Sequence, residues 1–296
     1  MSNNSTIQTQ TSALLLVHAI TSVHAGTGQS AAVIDLPIAR EKATGFPMVP
    51  GSSVKGVLRE RVPDTDAQWR SSVFGEQERA GALCLTDLRL LCLPVRSLYG
   101  TFAYVTSPLV LSRLRRDCEA VGVQKFGGLP KVDLPMDGSR LNARVPAGAA
   151  LLTPTSAVGQ ANMFLEDLDL HATSDEATGN IAAVLASALF AGNESDFTSR
   201  FVVVPDTVFS FLCETATEVA ARVRLEETSK TVTNGGLWFE EAVPAETIFY
   251  GHATVEQRYL GSVEPHPFDA LKGVPAIQIG GDSSIGRGLC RLVVQQ

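Results

Sequence analysis

The sequence predicts an α+β fold, in which helices are mixed with strands that pair mainly antiparallel. The chain has 296 residues, of which 45% are hydrophobic and 19% charged, a composition typical of a folded globular protein. Apolar runs of strand length are interspersed with helical periodicity, but not in the regular alternation that indicates a doubly wound sheet or a barrel. A glycine-rich segment between the last two predicted strands favours a hairpin.

Four helices are predicted from capping residues and helical spacing. The first begins near Ser52 or Ser53, whose hydroxyl can cap the opening turn. The second starts at Ser107, because the proline that follows is favoured in a first turn. Ser174 precedes two acidic residues and opens the third, and Asp206 caps a short fourth helix.

The remaining periodic segments predict strands. Residues 13–20 form a short apolar run of strand length. From Val219 to Leu225, apolar residues alternate with residues that include Arg222 and Arg224, which predicts a strand with one buried face and one arginine-bearing face. Further strands are predicted over residues 246–255, 274–279 and 288–294.

The segment between the first strand and the first helix, residues 24–50, is rich in glycine and proline and leaves little room for regular structure. A compact domain seldom keeps so long a connection unless it binds or catalyses. This segment also carries His24, Asp35, Arg40 and Glu41, so it is the first candidate for a functional loop.

Charge and cysteine content exclude several function classes. The 31 acidic and 24 basic residues give a net charge of −7, which argues against a free-standing, non-specific nucleic-acid binder. Local basic clusters at residues 55–61 and 113–116 indicate either solvated helix faces or one groove. The five cysteines form no C-x-x-C pair, so neither a disulfide framework nor a zinc site is indicated. No apolar run approaches the roughly 20 residues of a membrane helix, and we expect a cytoplasmic protein without membrane contact.

Three glycine-rich elements favour a phosphate-rich ligand: residues 24–41, the helix start at 51–56 and residues 279–288. Glycines let the backbone approach a ligand, and successive N–H groups form anion-binding nests. A helix N-terminus adds partial positive charge. The alternative, that these glycines only form tight turns, stays open for each element taken alone.

Residues 24–41 (HAGTGQSAAVIDLPIARE) and 44–61 (TGFPMVPGSSVKGVLRER) resemble the RAMP superfamily of CRISPR-associated proteins. They are most similar to the backbone subunits of type III-B (Cmr) effector complexes. The resemblance continues through residues 100–108 with Arg113-Leu114, residues 230–241, Pro244-Ala245-Glu246-Thr247 and residues 279–288. It therefore covers the chain from about residue 13 to the end, although residues 145–200 match less plainly.

The resemblance implies a single RAMP domain over residues 1–296, with a ferredoxin-like, RRM-related palm that carries inserted loops and a hairpin. In that family, copies of the subunit stack along a guide RNA beside other Cmr complex subunits. Target RNA paired to the guide is cut at regular intervals, one cut for each backbone subunit. The cut requires Mg²⁺ or another divalent metal, and the nucleophile is the 2′-hydroxyl of the RNA.

The resemblance also assigns site residues. The family's catalytic aspartate lies in a V-D-x-P-I-x-R-E segment, which residues 33–41 match with Ile34 added, so Asp35 is implied as the catalytic and metal-binding residue. Lys55 matches the family lysine, and either Glu240 or Glu241 matches an acidic residue. The implied RNA-binding residues are His24, Gly26, Gly28, Arg40, Ser52, Ser53, Lys55, Arg59, Gly280, Gly281, Gly286, Arg287 and Gly288.

Elementary chemistry agrees with these roles. A loop aspartate is ionised at neutral pH and can bind Mg²⁺ or accept a hydroxyl proton. Lys55 can stabilise charge on the phosphorane, and a glutamate can assist the leaving oxygen. Two alternatives stay open: a guide-binding subunit in which Asp35 is inactive and only caps a turn, and a stand-alone endonuclease that processes precursor guide RNA without metal.

Overall fold

The computed structural model describes residues 10–28, 33–134, 141–154 and 161–296. Most strands lie in one large sheet, and two form a separate ribbon. The strands within these ranges are β1 (Gln10–Ala19), β2 (Met48–Val49), β3 (Leu83–Leu85), β4 (Leu88–Arg96), β5 (Phe102–Thr106), β6 (Asn142–Val145), β7 (Ala161–Leu165), β8 (Leu168–Ser174), β9 (Phe201–Val203), β10 (Glu218–Leu225), β11 (Val232–Ala242), β12 (Ile248–Glu256), β13 (Ala276–Gln278) and β14 (Leu289–Gln295).

Helices pack on this sheet and fill the connections between its strands. Two 3-10 turns, Asp64–Asp66 and Ser283–Ile285, accompany them. The α-helices of the described ranges are α1 (Gly51–Glu60), α2 (Ala67–Phe74), α3 (Pro108–Val121), α4 (Gln124–Gly127), α5 (Glu176–Leu189), α6 (Glu194–Thr198), α7 (Asp206–Thr215), α8 (Gln257–Leu260) and α9 (Pro267–Lys272).

The large sheet has the strand order β13-β14-β1-β12-β4-β5-β9-β6-β8-β7, with β2 paired to β4 and β3 to β12. Most pairs are antiparallel, and β5–β9 and β6–β8 are parallel. The prediction of an α+β fold with a ferredoxin-like palm is therefore confirmed. The predicted glycine-rich hairpin is confirmed as well, because β13 pairs antiparallel with β14.

The first apolar run of the sequence forms an interior strand of the sheet. β1 lies between β12 and β14, and Leu14, Leu15, Leu16 and Val17 are all fully buried. Helices α3 and α5 pack against β1 and β14, so consecutive residues of β1, not alternate ones, are removed from water. Burying one such side chain contributes about 1.5–3 kcal/mol.

The start of helix α1 differs from the prediction. Helix α1 begins at Gly51 after Pro50 and has no side-chain cap, so the capping role predicted for Ser52 or Ser53 is wrong. Instead, the N–H of Gly51 donates to Oδ1 of Asp87 at 2.9 Å. A carboxylate 36 residues away thus replaces the expected local hydroxyl, and both serines are exposed.

Of the other three predicted helix starts, one is confirmed and two are wrong. Ser107 caps α3 as expected, because its hydroxyl accepts from the N–H of Val110. Helix α5 is capped by Asp175, whose carboxylate accepts from the N–H of Thr178 at 2.7 Å, and not by Ser174. Asp206 is the first residue of α7 and not its cap; its carboxylate accepts from the N–H of Leu109 at the start of α3.

The ribbon formed by β10 and β11 overturns the burial predicted for residues 219–225. These two strands pair with each other and lie outside the large sheet. Val219, Val223 and Leu225 are 49–51% exposed, so the predicted buried face is open to solvent. In β11 only Gly236 and the last three residues, 240–242, are buried.

Residues 145–200 extend the sheet at the end opposite β13. They contribute β7 and β8 together with α5 and α6. The division of the chain into domains stays a prediction. Within the described ranges, none of the helices has the length and apolarity that a membrane span requires.

Candidate active site

The loop that carries Asp35 runs beside β11 as a short additional strand. Leu36 forms a parallel bridge with Glu240: its N–H donates to the carbonyl of Phe239 at 3.1 Å, and its carbonyl accepts from the N–H of Glu241 at 3.0 Å. The Asp35 carboxylate accepts from the N–H of Phe239 through Oδ2 at 2.7 Å. The loop and the strand therefore fix the position of this carboxylate.

Asp35 faces an open cleft of about 510 Å³ between this loop, the ribbon and the glycine-rich loop before β14. The cleft contains three carboxylates and one arginine. Its lining residues are Asp35, Leu36, Arg224, Gly235, Gly236, Leu237, Trp238, Glu240 and Asp282.

Glu240 lies at the buried side of this cleft and is 3% exposed. It forms an ion pair with Arg287, and Nε of Arg222 lies 3.7 Å from its Oε2. Burial raises the pKa of the Glu240 carboxyl, and the adjacent Asp282 carboxyl raises it further, whereas the two arginines act in the opposite direction. The net effect raises the pKa of Glu240, which therefore keeps a proton more readily than a solvent-exposed glutamate does.

Glu241 points away from the cleft, because neighbouring residues of a strand project to opposite faces. Its carboxylate accepts from Arg40 Nη2 at 2.5 Å, from the N–H of Ile38 at 3.1 Å and from the Thr217 hydroxyl at 2.9 Å. The contacts with Arg40 and Ile38 hold the loop that contains Asp35. The structure thus distinguishes the two glutamates that the sequence left equivalent: Glu240 lines the cleft, and Glu241 clamps the loop.

His24 and the glycine-rich loop before β14 support the same loop from another side. Nδ1 of His24 lies 2.6 Å from the carbonyl of Glu241, and the His24 carbonyl accepts from the N–H of Gly281 at 2.9 Å. At Gly280, with φ +85°, a Cβ would lie 2.3 Å from the His24 carbonyl oxygen. Only glycine allows this approach.

The remaining predicted site residues are distributed over several parts of the structure. Helix α1 presents Ser52, Ser53 and Arg59 to solvent, with Lys55 half-buried, and none of these four lines the cleft. Arg40 donates to the carbonyls of Gly45 and Cys213 besides Glu241. Arg287 is 8% exposed and paired with Glu240. The turn glycines are Gly26, Gly28, Gly286 and Gly288, and the last three have positive φ.

Asp282 is a cleft residue that the sequence reasoning missed. It has φ +61°, unusual for a residue with a side chain, and its Oδ2 lies 4.0 Å from Nη1 of Arg287. The available signal was an acidic residue inside the glycine-rich segment 279–288. That signal is weak alone, because aspartate is common in turns.

The donor groups of the cleft accommodate a divalent metal only in part. The described residues contain no group of three or more His, Cys, Asp or Glu side chains that could hold a metal ion. Mg²⁺ commonly takes one or two carboxylates and completes its shell with water and substrate phosphates. Asp35 suits that arrangement, since Oδ1 accepts no hydrogen bond from the described residues, while Glu240 is occupied by arginines.

Comparison with known proteins assigns the family. The model of the RAMP superfamily matches residues 16–291. The chain belongs to the RAMP superfamily. It is 33% identical over 295 residues to the CRISPR system Cmr endoribonuclease Cmr4 of Pyrococcus furiosus, covering 96% of this chain and 95% of that relative. The family predicted from the sequence motifs is therefore confirmed, and the protein is a Cmr4-like RAMP subunit.

Solved structures share the fold. The oligomeric Cmr4 from Pyrococcus furiosus matches with a TM-score of 0.67 and 26% identity, over 96% of this chain and 97% of that one. A chain of the type III-B Cmr-beta complex bound to cognate target RNA matches with a TM-score of 0.70 and 20% identity, over 96% of both chains. At that identity the second match supports the fold alone.

Proposed function

We propose that this RAMP protein is the backbone subunit of a type III-B CRISPR effector complex, binds guide RNA, and cleaves the paired target RNA at regular intervals. The 33% identical relative is named a Cmr endoribonuclease, and a 26% identical Cmr4 is oligomeric in its crystal structure. Several copies of this chain along one guide, with other Cmr subunits, fit both facts. The acidic net charge fits a protein that meets RNA inside an assembly.

The observation that carries the proposal is the placement of Asp35 and Glu240 in one open cleft. The Phe239 N–H holds Oδ2 of Asp35, and Oδ1 accepts no hydrogen bond from the described residues. In the proposed reaction, Asp35 accepts the proton of the RNA 2′-hydroxyl as that oxygen attacks phosphorus. Glu240, whose pKa burial raises, donates a proton to the departing 5′-oxygen.

The proposed products follow from that bond exchange. The bond from the 2′-oxygen to phosphorus forms while the bond from phosphorus to the 5′-oxygen breaks. One fragment then ends in a 2′,3′-cyclic phosphate and the other in a 5′-hydroxyl. When a divalent cation binds at Asp35, it supplies positive charge to the phosphate oxygens.

Glu241 and Lys55 have different places in this proposal. Glu241 holds the Asp35 loop through Arg40 and Ile38 and is a positioning residue. Lys55 lies at the start of α1, where helix N–H groups favour phosphate. It binds the RNA backbone in our proposal, and its role in stabilising the phosphorane stays a prediction.

The experiment is a comparison of three RNA substrates with the reconstituted complex and with the isolated chain. The complex should cut RNA complementary to its guide at regular intervals, leave non-complementary RNA intact, and lose activity in a chelator until Mg²⁺ or Mn²⁺ is restored. Binding without cutting would favour the purely structural guide-binding subunit. Metal-independent cutting of precursor guide RNA by the isolated chain would favour the stand-alone processing endonuclease.

A further inference from the structure

A second cavity of about 440 Å³ lies apart from the cleft and shares none of its lining residues. It opens between the end of β1, strand β5, the α5–α6 connection and the turn before β12. Its lining residues are His18, Phe102, Tyr104, Phe190, Asn193, Asp196, Arg200 and Glu246. The volume suits a small planar ligand.

Glu246 presents a fixed, ionised carboxylate to this cavity. Its Oε2 accepts from Nε2 of His18 at 2.8 Å and from the hydroxyl of Tyr104 at 2.5 Å. Burial opposes ionisation, but these two hydrogen bonds hold the pKa of Glu246 below its ordinary value. Oε1 accepts no hydrogen bond from the described residues, so one oxygen of a rigid carboxylate is left for a ligand.

The backbone at Glu246 shows that this orientation is specifically maintained. Glu246 has φ +73°, a left-handed conformation that is unfavourable for a residue with a Cβ. Its N–H donates to the carbonyl of Ala19 at 2.7 Å. His18 and Tyr104 are 8% and 3% exposed, so two buried side chains support one half-exposed carboxylate.

Aromatic rings and one arginine complete the cavity. Phe190 stacks on Phe197 at 5.1 Å between ring centroids, and both Phe102 and Phe190 are only half-buried, so part of each ring is exposed at the cavity. Arg200 lies over the Phe102 ring at 5.6 Å. Its Nε and Nη1 donate to the carbonyls of Gly100 and Asp196, which fixes the guanidinium at the rim. Nη2 has no hydrogen-bond acceptor among the described residues.

We propose that this cavity binds a guanine base. Guanine is planar and stacks on aromatic side chains, and its adjacent N1–H and N2–H₂ donors can share Oε1, the one oxygen of Glu246 that accepts no hydrogen bond from the described residues. The O6 atom next to them is an acceptor that matches the free N–H of Arg200. Adenine and cytosine each have an amino donor, but the ring nitrogen beside it is an acceptor and not a second donor. Uracil has no amino group.

The base is the recognised part of the ligand, whether it comes from RNA or from a free nucleotide. Asp196 at the rim and the carboxylate of Glu246 give no attraction to a phosphate. Inosine differs from guanosine only in lacking the N2 amino group, so it isolates the contact assigned to Glu246.

The test is calorimetric titration of the full chain with GMP, IMP and AMP. GMP should bind at least tenfold more tightly than IMP or AMP. Glu246→Gln should remove that preference, because the glutamine amide presents a donor to the donor edge of guanine. Glu227→Gln, a change at an exposed glutamate of the ribbon, is the matched control and should retain it. Phe190→Leu should weaken all three nucleotides together, which separates loss of stacking from loss of base selection.

Two short RNAs identify the source of the base: one carries guanosine at a chosen position, and the other carries inosine there. Selection of the guanine RNA that depends on Glu246 identifies RNA as the source, and selection of GMP alone identifies a free nucleotide. Equal binding of GMP, IMP and AMP, no binding by the wild-type chain, or an unchanged preference in a folded Glu246→Gln variant would overturn the proposal.

Discussion

Replacement of Glu241 by alanine removes the clamp that holds the Asp35 loop on β11. The carboxylate is 3% exposed and accepts from Arg40, the N–H of Ile38 and the Thr217 hydroxyl. Alanine leaves a half-buried guanidinium without its counter-charge and an N–H without its acceptor. Both losses destabilise the folded chain.

The magnitude follows from the burial of the two partners. Breaking a buried ion pair by removing one partner costs about 3–5 kcal/mol. The Arg40 side chain is 25% exposed and keeps its bonds to the carbonyls of Gly45 and Cys213, so solvent and these acceptors compensate part of the loss. We therefore expect Glu241→Ala to lower the free energy of unfolding by about 3 kcal/mol.

Urea denaturation of the isolated chain measures this change. Glu227→Ala, at an exposed position of the ribbon, should alter the free energy of unfolding by no more than about 0.5 kcal/mol. If Glu241→Ala unfolds at the same urea concentration and with the same slope as the control, Glu241 does not clamp the loop. The separation of roles between Glu240 and Glu241 would then be wrong.

Two further predictions concern charge. Hydrogen bonds from Arg113 and Thr44 hold the pKa of Glu41 below its ordinary value, although burial opposes them. The ionised Glu41 therefore stabilises the folded chain above the unfolded pKa of about 4.3, and this stabilisation is lost as pH falls through the folded pKa. Glu41→Gln should therefore destabilise the chain at pH 7 and progressively less towards pH 3 in urea titrations at several pH values; a difference independent of pH would contradict this. Lys55→Ala should lower the slope of log affinity for single-stranded RNA against log salt by about 0.7, and an unchanged slope in binding titrations would exclude a phosphate contact.

Local signals in the sequence predicted those elements whose formation depends on residues close to them in the chain. The apolar run of β1 is buried as a strand, and the Ser107-Pro108 pair starts α3. At Gly51 the cap comes from Asp87 on another segment, which no local pattern encodes. Residues 219–225 alternate as a half-buried strand does, but they become exposed because their partner β11 leaves the body of the protein.

The candidate site was also predicted only in part. The motif in residues 33–41 pointed to Asp35, which lies in the cleft. Spacing alone did not distinguish Glu240 from Glu241, because their faces are set by the pairing of β11 with Leu36. Asp282 was missed for the same reason, since only the fold brings its loop to Glu240.

Single-turnover cleavage by a complex reconstituted with Asp35→Asn subunits tests the central claim most directly. Asparagine preserves the size of the side chain and an acceptor for the Phe239 N–H, but it neither takes a proton nor carries charge. Asp169→Asn, at an exposed position of β8, is the control. We predict that Asp35→Asn slows target cleavage at least about 100-fold with unchanged target affinity, while the control cleaves normally. Cleavage by Asp35→Asn at the wild-type rate would contradict the assignment of this cleft as the active site.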